Sequence, residues 1–305
     1  MEKIKLKMIL VIFSFIFTTN SYASDFINGV EALKKENYEK AITLFKRASL
    51  QGESYAELNL GTIYAQGFGV EQDYAKAFYW WDKAAKRGLD DAQFSLGILY
   101  ENGLGVDQSF ERAAHWYKLA ADQGNDYAQN QLGKFHQKGL GVQKDFTKAV
   151  HWFELAAKQG LDIAQYNMGW MYEQGYGVIQ NYEDAVSWWN LAANQGYAPA
   201  QNMLGVSYMD GLGVTQNNLM AMKMFRSAAE QGHERSQMYL GVLTLLSSEN
   251  DYTQGLKWLY LSADQGDERA KKIIDDLQKK IPSRQIAQAQ KLALECRARN
   301  YKGCD

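Results

Sequence analysis

Glycine recurs in this chain with a 36-residue period, at Gly61, Gly97, Gly133, Gly169, Gly205 and Gly241. A second series keeps step with it: Gly67-Phe-Gly69-Val70, Gly103-Leu-Gly105-Val106, Gly139-Leu-Gly141-Val142, Gly175-Tyr-Gly177-Val178 and Gly211-Leu-Gly213-Val214. Gly88, Gly124, Gly160, Gly196 and Gly232 form a third. Self-similarity at this period marks an array of stacked supersecondary units, because one unit cannot bury its apolar faces alone. Only two prolines occur in the 305 residues, as a mostly helical chain requires.

Residues 92–127 show what the unit is. Leu96, Leu99 and Tyr100 lie on one face of a first helix, A, expected over about 92–102. Gly97 on that face has no side chain and lets a neighbour approach. Asp90 or Asp91 is the expected N-cap. The loop Gly103-Leu-Gly105-Val106 offers two positions that accept positive φ and one apolar plug. A second helix, B, is expected over about 110–123. Ser109 is its N-cap, with Asp73, Asp145, Asn181 and Asn217 in the same place elsewhere. Ala113, Trp116, Tyr117 and Ala120 make the buried stripe, and Gly124 ends the helix in the left-handed conformation. The fold class read from this is all-α, an α-solenoid of antiparallel helix pairs.

The expected organisation is a signal peptide over 1–23, a capping helix pair over 24–55 and five full units over 56–235. A degenerate sixth unit follows over 236–269, with Ser247-Ser248-Glu249-Asn250 in place of the glycine loop. Capping helices over 270–305 are broken at Pro282. The first segment has a basic start (Lys3, Lys5, Lys7), an apolar run over 8–17 too short to span a bilayer, and Ser21-Tyr22-Ala23 before a cleavage point at Ser24. The expected location is therefore the periplasm or beyond, with no stable membrane insertion after cleavage. The formal charge of −2 gives no reason to expect nucleic acid or anionic lipid as partner.

The unit Ala-x-x-x-Leu-Gly-x-x-Tyr-x-x-Gly-x-Gly-Val, then Ala-x-x-Trp-x-x-x-Ala-Ala-x-x-Gly, resembles the Sel1-like repeat, a longer-looped relative of the tetratricopeptide repeat. The resemblance covers about residues 25–305 and implies an adaptor in exported, envelope or signalling assemblies, in some bacteria in contact with host cells. Cys296 and Cys304 stand eight apart, the spacing of Ala84 to Ala92 and of Ala120 to Ala128. Asn300 takes the place of Gly88. A disulfide that staples the terminal turn is the expected role, and an oxidising compartment permits it. The spacing is similar to that of the Helicobacter cysteine-rich proteins, although those carry the pair in most repeats and this chain once. A reactive redox pair is the alternative, for which Cys-x-x-Cys is the usual spacing.

Some members of that branch bind or slowly hydrolyse β-lactams, which makes a cell-wall or β-lactam binding protein the competing function. The mature chain has no Ser-x-x-Lys, Ser-Asp-Asn, Lys-Thr-Gly or Gly-x-Ser-x-Gly. The Gly-x-Gly loops lack the third glycine and the strand of a dinucleotide site. His115 and His151 share a column with Tyr79, Ser187 and Lys223, an exposed variable position without metal-ligand spacing. His136 stands where other repeats have tyrosine and reads as a core substitution, and Trp80, Trp116, Trp152 and Trp188 recur in register as packing residues. No enzyme activity, cofactor or metal is expected.

What varies between repeats is where specificity can sit. On helix A one column is Leu58, Phe94, Asn130, Tyr166, Asn202 and Met238; the next is Thr62, Ile98, Lys134, Trp170, Val206 and Val242. In a tetratricopeptide-like superhelix these line the concave side. The expected partner groove uses Phe94, Ile98, Tyr166 and Trp170, ringed by Lys134, Lys138, Glu173 and Asp210, and holds a protein or peptide on a monomer. Completing the packing between adjacent A helices is an equal alternative for Phe94, Tyr166 and Trp170.

Overall fold

A computed structural model describes residues 21–248 and 251–304 of the chain. The expected signal segment lies outside them apart from its last three residues, as do Glu249 and Asn250 of the substituted loop. The chain divides into two compact units, the first ending at Asp145 and the second beginning at Phe146. Among the described residues there are sixteen helices and no strand.

The first unit contains α1 (Ser21–Lys34), α2 (Tyr38–Leu50), α3 (Ser54–Gln66), α4 (Tyr74–Lys86), α5 (Asp90–Asn102), α6 (Phe110–Asp122) and α7 (Asp126–Lys138). Within it each helix packs on the next. The reason is legible at Gly97 of α5, where a Cβ would lie 2.4 Å from the Tyr117 ring of α6. The ring occupies the space the side chain lacks. Trp81 does the same over Gly61 and donates its Nε1–H to the Leu58 carbonyl at 3.1 Å, so a large ring is buried with its polar atom satisfied. Phe45 covers Gly29 in the α1/α2 pair by the same contact.

The second unit contains α8 (Phe146–Lys158), α9 (Asp162–Gln174), α10 (Tyr182–Asn194), α11 (Ala198–Asp210), α12 (Asn218–Ala229), α13 (Glu234–Ser247), α14 (Thr253–Asp264), α15 (Glu268–Gln278) and α16 (Ser283–Ala298). Trp189 covers Gly169 and Phe225 covers Gly205. The buried aromatic column is therefore Trp81, Tyr117, Phe153, Trp189 and Phe225. The expected tryptophan column one residue earlier is only half-buried and borders the core.

The caps follow the sequence at helix B and depart from it at the start of α5. Asp73, Ser109, Asn181 and Asn217 accept backbone N–H bonds at their helix starts. Asp90 and Asp91 do not cap α5. The helix begins two residues earlier than expected, its N-cap is Leu89 without a side-chain bond, and both carboxylates sit in the first turn. There they accept Asn125 Nδ2 at 3.0 and 3.1 Å. Burial, then the charge of Asp90, raises the Asp91 pKa above its ordinary 3.8, against the hydrogen bond from Asn125; the Asp126 charge adds to the rise. A carboxyl raised in the folded state contributes stability below its unfolded value and loses it as pH rises through the folded one. Asp91→Asn keeps the acceptor and removes the charge. It is expected to melt higher than the parent at pH 7, the difference vanishing below the unfolded value of 3.8; equal melting temperatures at pH 7 would contradict this.

A glutamine ladder ties consecutive repeats together. Gln93, Gln129, Gln165, Gln201 and Gln237 are buried on helix A. Each donates Nε2–H to a carbonyl near the end of the preceding helix B: Ala85, Ala121, Ala157, Ala193 and Ala229, at 3.1–3.3 Å. The Oε1 atoms of Gln93, Gln165, Gln201 and Gln237 accept from Gln123, Gln195, Gln231 and Gln265 at 2.8–2.9 Å. In the first full repeat the rung is ionic. Glu57, wholly buried, takes Arg87 Nε at 3.2 Å, Lys83 Nζ at 3.3 Å and Ser49 Oγ at 2.9 Å.

At the C-terminal end, α16 lies beside α14: Gln285 Oε1 accepts the Tyr252 N–H, and Arg297 pairs with Asp264 at 3.1 Å. Cys296 and Cys304 form a disulfide, both buried, with Cα atoms 5.2 Å apart. Asn300 adopts positive φ in the place of the repeat glycine, and so does Tyr301, whose ring rests against Gly232. The turn covers Lys257, whose Nζ donates to the Cys304 carbonyl. Lys257 holds the column of Tyr79, His115, His151, Ser187 and Lys223, which is exposed in every other repeat.

Candidate partner-binding site

Of the eight expected groove residues, Phe94, Ile98, Lys134 and Lys138 belong to the first unit and Tyr166, Trp170, Glu173 and Asp210 to the second. In the first helix A column, Leu58, Asn130, Asn202 and Met238 are all less than a tenth exposed. The column lies at the seam between consecutive A helices. Ser236 Oγ of α13 donates to Asn202 Oδ1 of α11 at 3.0 Å across that seam. Where the column carries a ring it is half-buried and meets a tyrosine that opens the next A helix. Phe94 lies 6.1 Å from Tyr127, and Tyr166 lies 5.5 Å from Tyr197, centroid to centroid.

In the second column Ile98 is buried, whereas Lys134 and Trp170 are half-buried. Trp170 stacks obliquely on Tyr176 at 5.3 Å, and Tyr176 stacks flat on Phe146 at 4.5 Å. Tyr176, the middle ring of this run, is the one open to solvent. Glu173 is half-buried and accepts Gln174 Nε2 at 3.0 Å, while Asp210 is exposed at the end of α11. Burial, then the charge of Glu173, raises the Tyr166 hydroxyl pKa, with Arg235 opposing.

The first unit carries a polar network. Tyr117 Oη donates to Glu101 Oε2 at 2.5 Å. Gln131 Nε2 donates to the same oxygen at 3.3 Å, and Lys134 Nζ donates to Gln131 Oε1 at 3.0 Å. Burial, then the Glu101 charge, pushes the Tyr117 phenol well above its usual range, so it remains a donor. The sequence singled out Lys134 but not Glu101 or Gln131. The tell is that Tyr117 alone among the buried ring column brings a hydroxyl that must find an acceptor. Among the described residues no group of three or more His, Cys, Asp or Glu side chains has the arrangement of a metal site.

Helix pairs of one length, glycine-seated rings and a glutamine ladder define an α-solenoid of repeats. The chain belongs to the Sel1-repeat family: the Sel1 repeat matches at 26–53, 54–89, 90–125, 126–161, 162–197, 198–233 and 235–267. The matches include the N-terminal pair and the unit that lost its glycine loop. The chain is similar to c5321, described as a protective antigen of uropathogenic Escherichia coli with an SLR fold, at 33% identity and a TM-score of 0.79. That match covers 86% of this chain and 57% of the other, so this chain spans little more than half of that protein's length. It is also similar to a Sel1 repeat protein from Oxalobacter formigenes, at 30% identity and a TM-score of 0.72, over 78% of this chain and 96% of that one. A search of curated proteins finds no match.

Proposed function

We propose that this chain is an exported, non-catalytic scaffold that binds a protein or peptide through the A-helix faces of its repeats, as a monomer. Sel1 repeats as a class serve protein–protein interaction. The observation that carries the reading is a division of labour. The residues that repeat are spent on core, loop and ladder, while the A-helix positions that differ carry, beside the buried Leu58, Ile98, Asn130, Asn202 and Met238, the half-buried rings of Phe94, Tyr166 and Trp170 and the charges of Lys134, Lys138, Glu173 and Asp210. Rings partly open to solvent and flanked by charge are the usual anchors of a protein interface. Export is supported by the disulfide, which persists in oxidising compartments, and is in keeping with the likeness to a protein described as a protective antigen. No helix among the described residues is long and apolar enough to cross a membrane.

Affinity capture from the cell envelope after mild crosslinking tests this. The parent is expected to recover a partner that Tyr166→Ala/Trp170→Ala loses. Because both rings also pack, a Glu173→Lys/Asp210→Lys variant, which leaves the rings in place, is run beside it with melting curves for all three. Equal recovery by parent and both variants would remove the second unit's face as the site.

A further inference from the structure

Lys134 and Lys138 stand one helical turn apart on α7, on the same side of the helix. Lys134 is half-buried, yet its Nζ donates only to the neutral Gln131 Oε1. The nearby carboxylate, Glu101, is already engaged by Tyr117 and Gln131. Neither lysine is in an ion pair, in contrast to Lys76, Lys83, Lys86, Arg87, Lys118, Lys158, Arg269 and Lys271. A partly desolvated ammonium without a direct ion pair is unfavourable. Its pKa is accordingly lowered, by burial first; Glu101 opposes this and Lys138 adds to it. The fold does not ask for a cation here, since the same column holds Thr62, Ile98, Trp170, Val206 and Val242.

We propose that Lys134 and Lys138 form a carboxylate-receiving site, and that the segment bound on the first unit's A-helix face is an acidic peptide. This rests on the proposed binding function and names the chemistry of the partner. An incoming side-chain carboxylate supplies the direct ion pair that Lys134 lacks, through charge-assisted hydrogen bonds, with Lys138 adding long-range attraction. The half-exposed ring pair Phe94 and Tyr127 on the same unit offers apolar contact to the residues between the acids.

The test uses the full chain and two end-blocked octapeptides, one alternating Phe and Glu, the other alternating Phe and Gln, measured by calorimetry. The Glu peptide is expected to bind about tenfold more tightly, equivalent to about 1.4 kcal/mol, and the advantage should shrink at high salt. Lys134→Met/Lys138→Gln, which keeps the buried stem of Lys134, should abolish the preference. In a second readout, the Glu peptide should slow acetylation of Lys134 by acetic anhydride, followed by mass spectrometry. Equal affinity for both peptides, a preference that survives in the variant, or binding of neither peptide each overturns the acidic site. Capture of a partner through the second unit's face, with the peptide test failing, leaves the binding function standing and removes only this proposal.

Discussion

Gly141→Ala is expected to destabilise the chain by about 3 kcal/mol or more, whereas Gly124→Ala costs about 1 kcal/mol. Both glycines have positive φ, 62° and 97°, so both substitutions carry the conformational penalty of a left-handed alanine. They differ in what a Cβ would meet. At Gly124 nothing lies within 4 Å. At Gly141 the Cβ would fall 2.2 Å from the Phe110 carbonyl carbon and 2.3 Å from its oxygen, in the first turn of α6. Backbone cannot rotate away as a side chain can, so the loop must lift off the helix it rests on. The same seat recurs where Gly105 meets Tyr74, Gly177 meets Phe146 and Gly213 meets Tyr182. Urea unfolding of the two variants measures the difference. Similar losses would mean that conformation, not close approach, is why glycine stands in the loop.

Arg87→Gln is expected to cost about 2–3 kcal/mol, and adding Glu57→Gln should recover most of it. Glu57 has no exposed surface and leans on two cations that are partly open to water. Removing Arg87 leaves a buried carboxylate with one lysine and one serine, and breaking a buried pair from one side is far worse than replacing both partners. The double substitution rebuilds the Gln–Gln rung found between Gln93 and Gln123, whose geometry the backbone already holds. A double-mutant cycle with chemical denaturation reads the coupling. Additive losses, with the double variant less stable than Arg87→Gln, would show that the ionic rung and the amide rung are not equivalent.

Much of the fold was legible because a period repeats its own evidence. Gly103, Gly105 and their equivalents announced a loop of positive φ, Gly124 a left-handed helix end, and the helix B caps announced themselves as Asp, Ser and Asn. The start of α5 was misread, because Asp90 and Asp91 look like caps while the extended residue before them, Leu89, carries no capping chemistry. The glutamine ladder was in register all along. It went unread because an amide on a helix looks solvent-facing until its partner, 30 residues away in sequence, is placed beside it. The candidate site was legible in residue choice but not in depth. Side-by-side A helices bury most of the first variable column, and nothing in one helix's spacing says how close the next one comes. Phe94 and Tyr166 were singled out as rings, while Tyr127 and Tyr197, which they meet, opened the following helices unnoticed.

The ladder also bears on how such a chain can change length. The bond from each ladder glutamine to the preceding repeat ends on a backbone carbonyl, which carries no side-chain address, so any such repeat offers its neighbours the same handshake. A block of 36 residues can be copied or excised and the new neighbours still meet as glutamine amide and backbone carbonyl. Glu57 departs from this, taking the Ser49 hydroxyl of the preceding pair, and the strap that covers Lys257 fits only the last pair. The array thus has a keyed beginning, a fastened end and an interior that evolution can lengthen or shorten a repeat at a time.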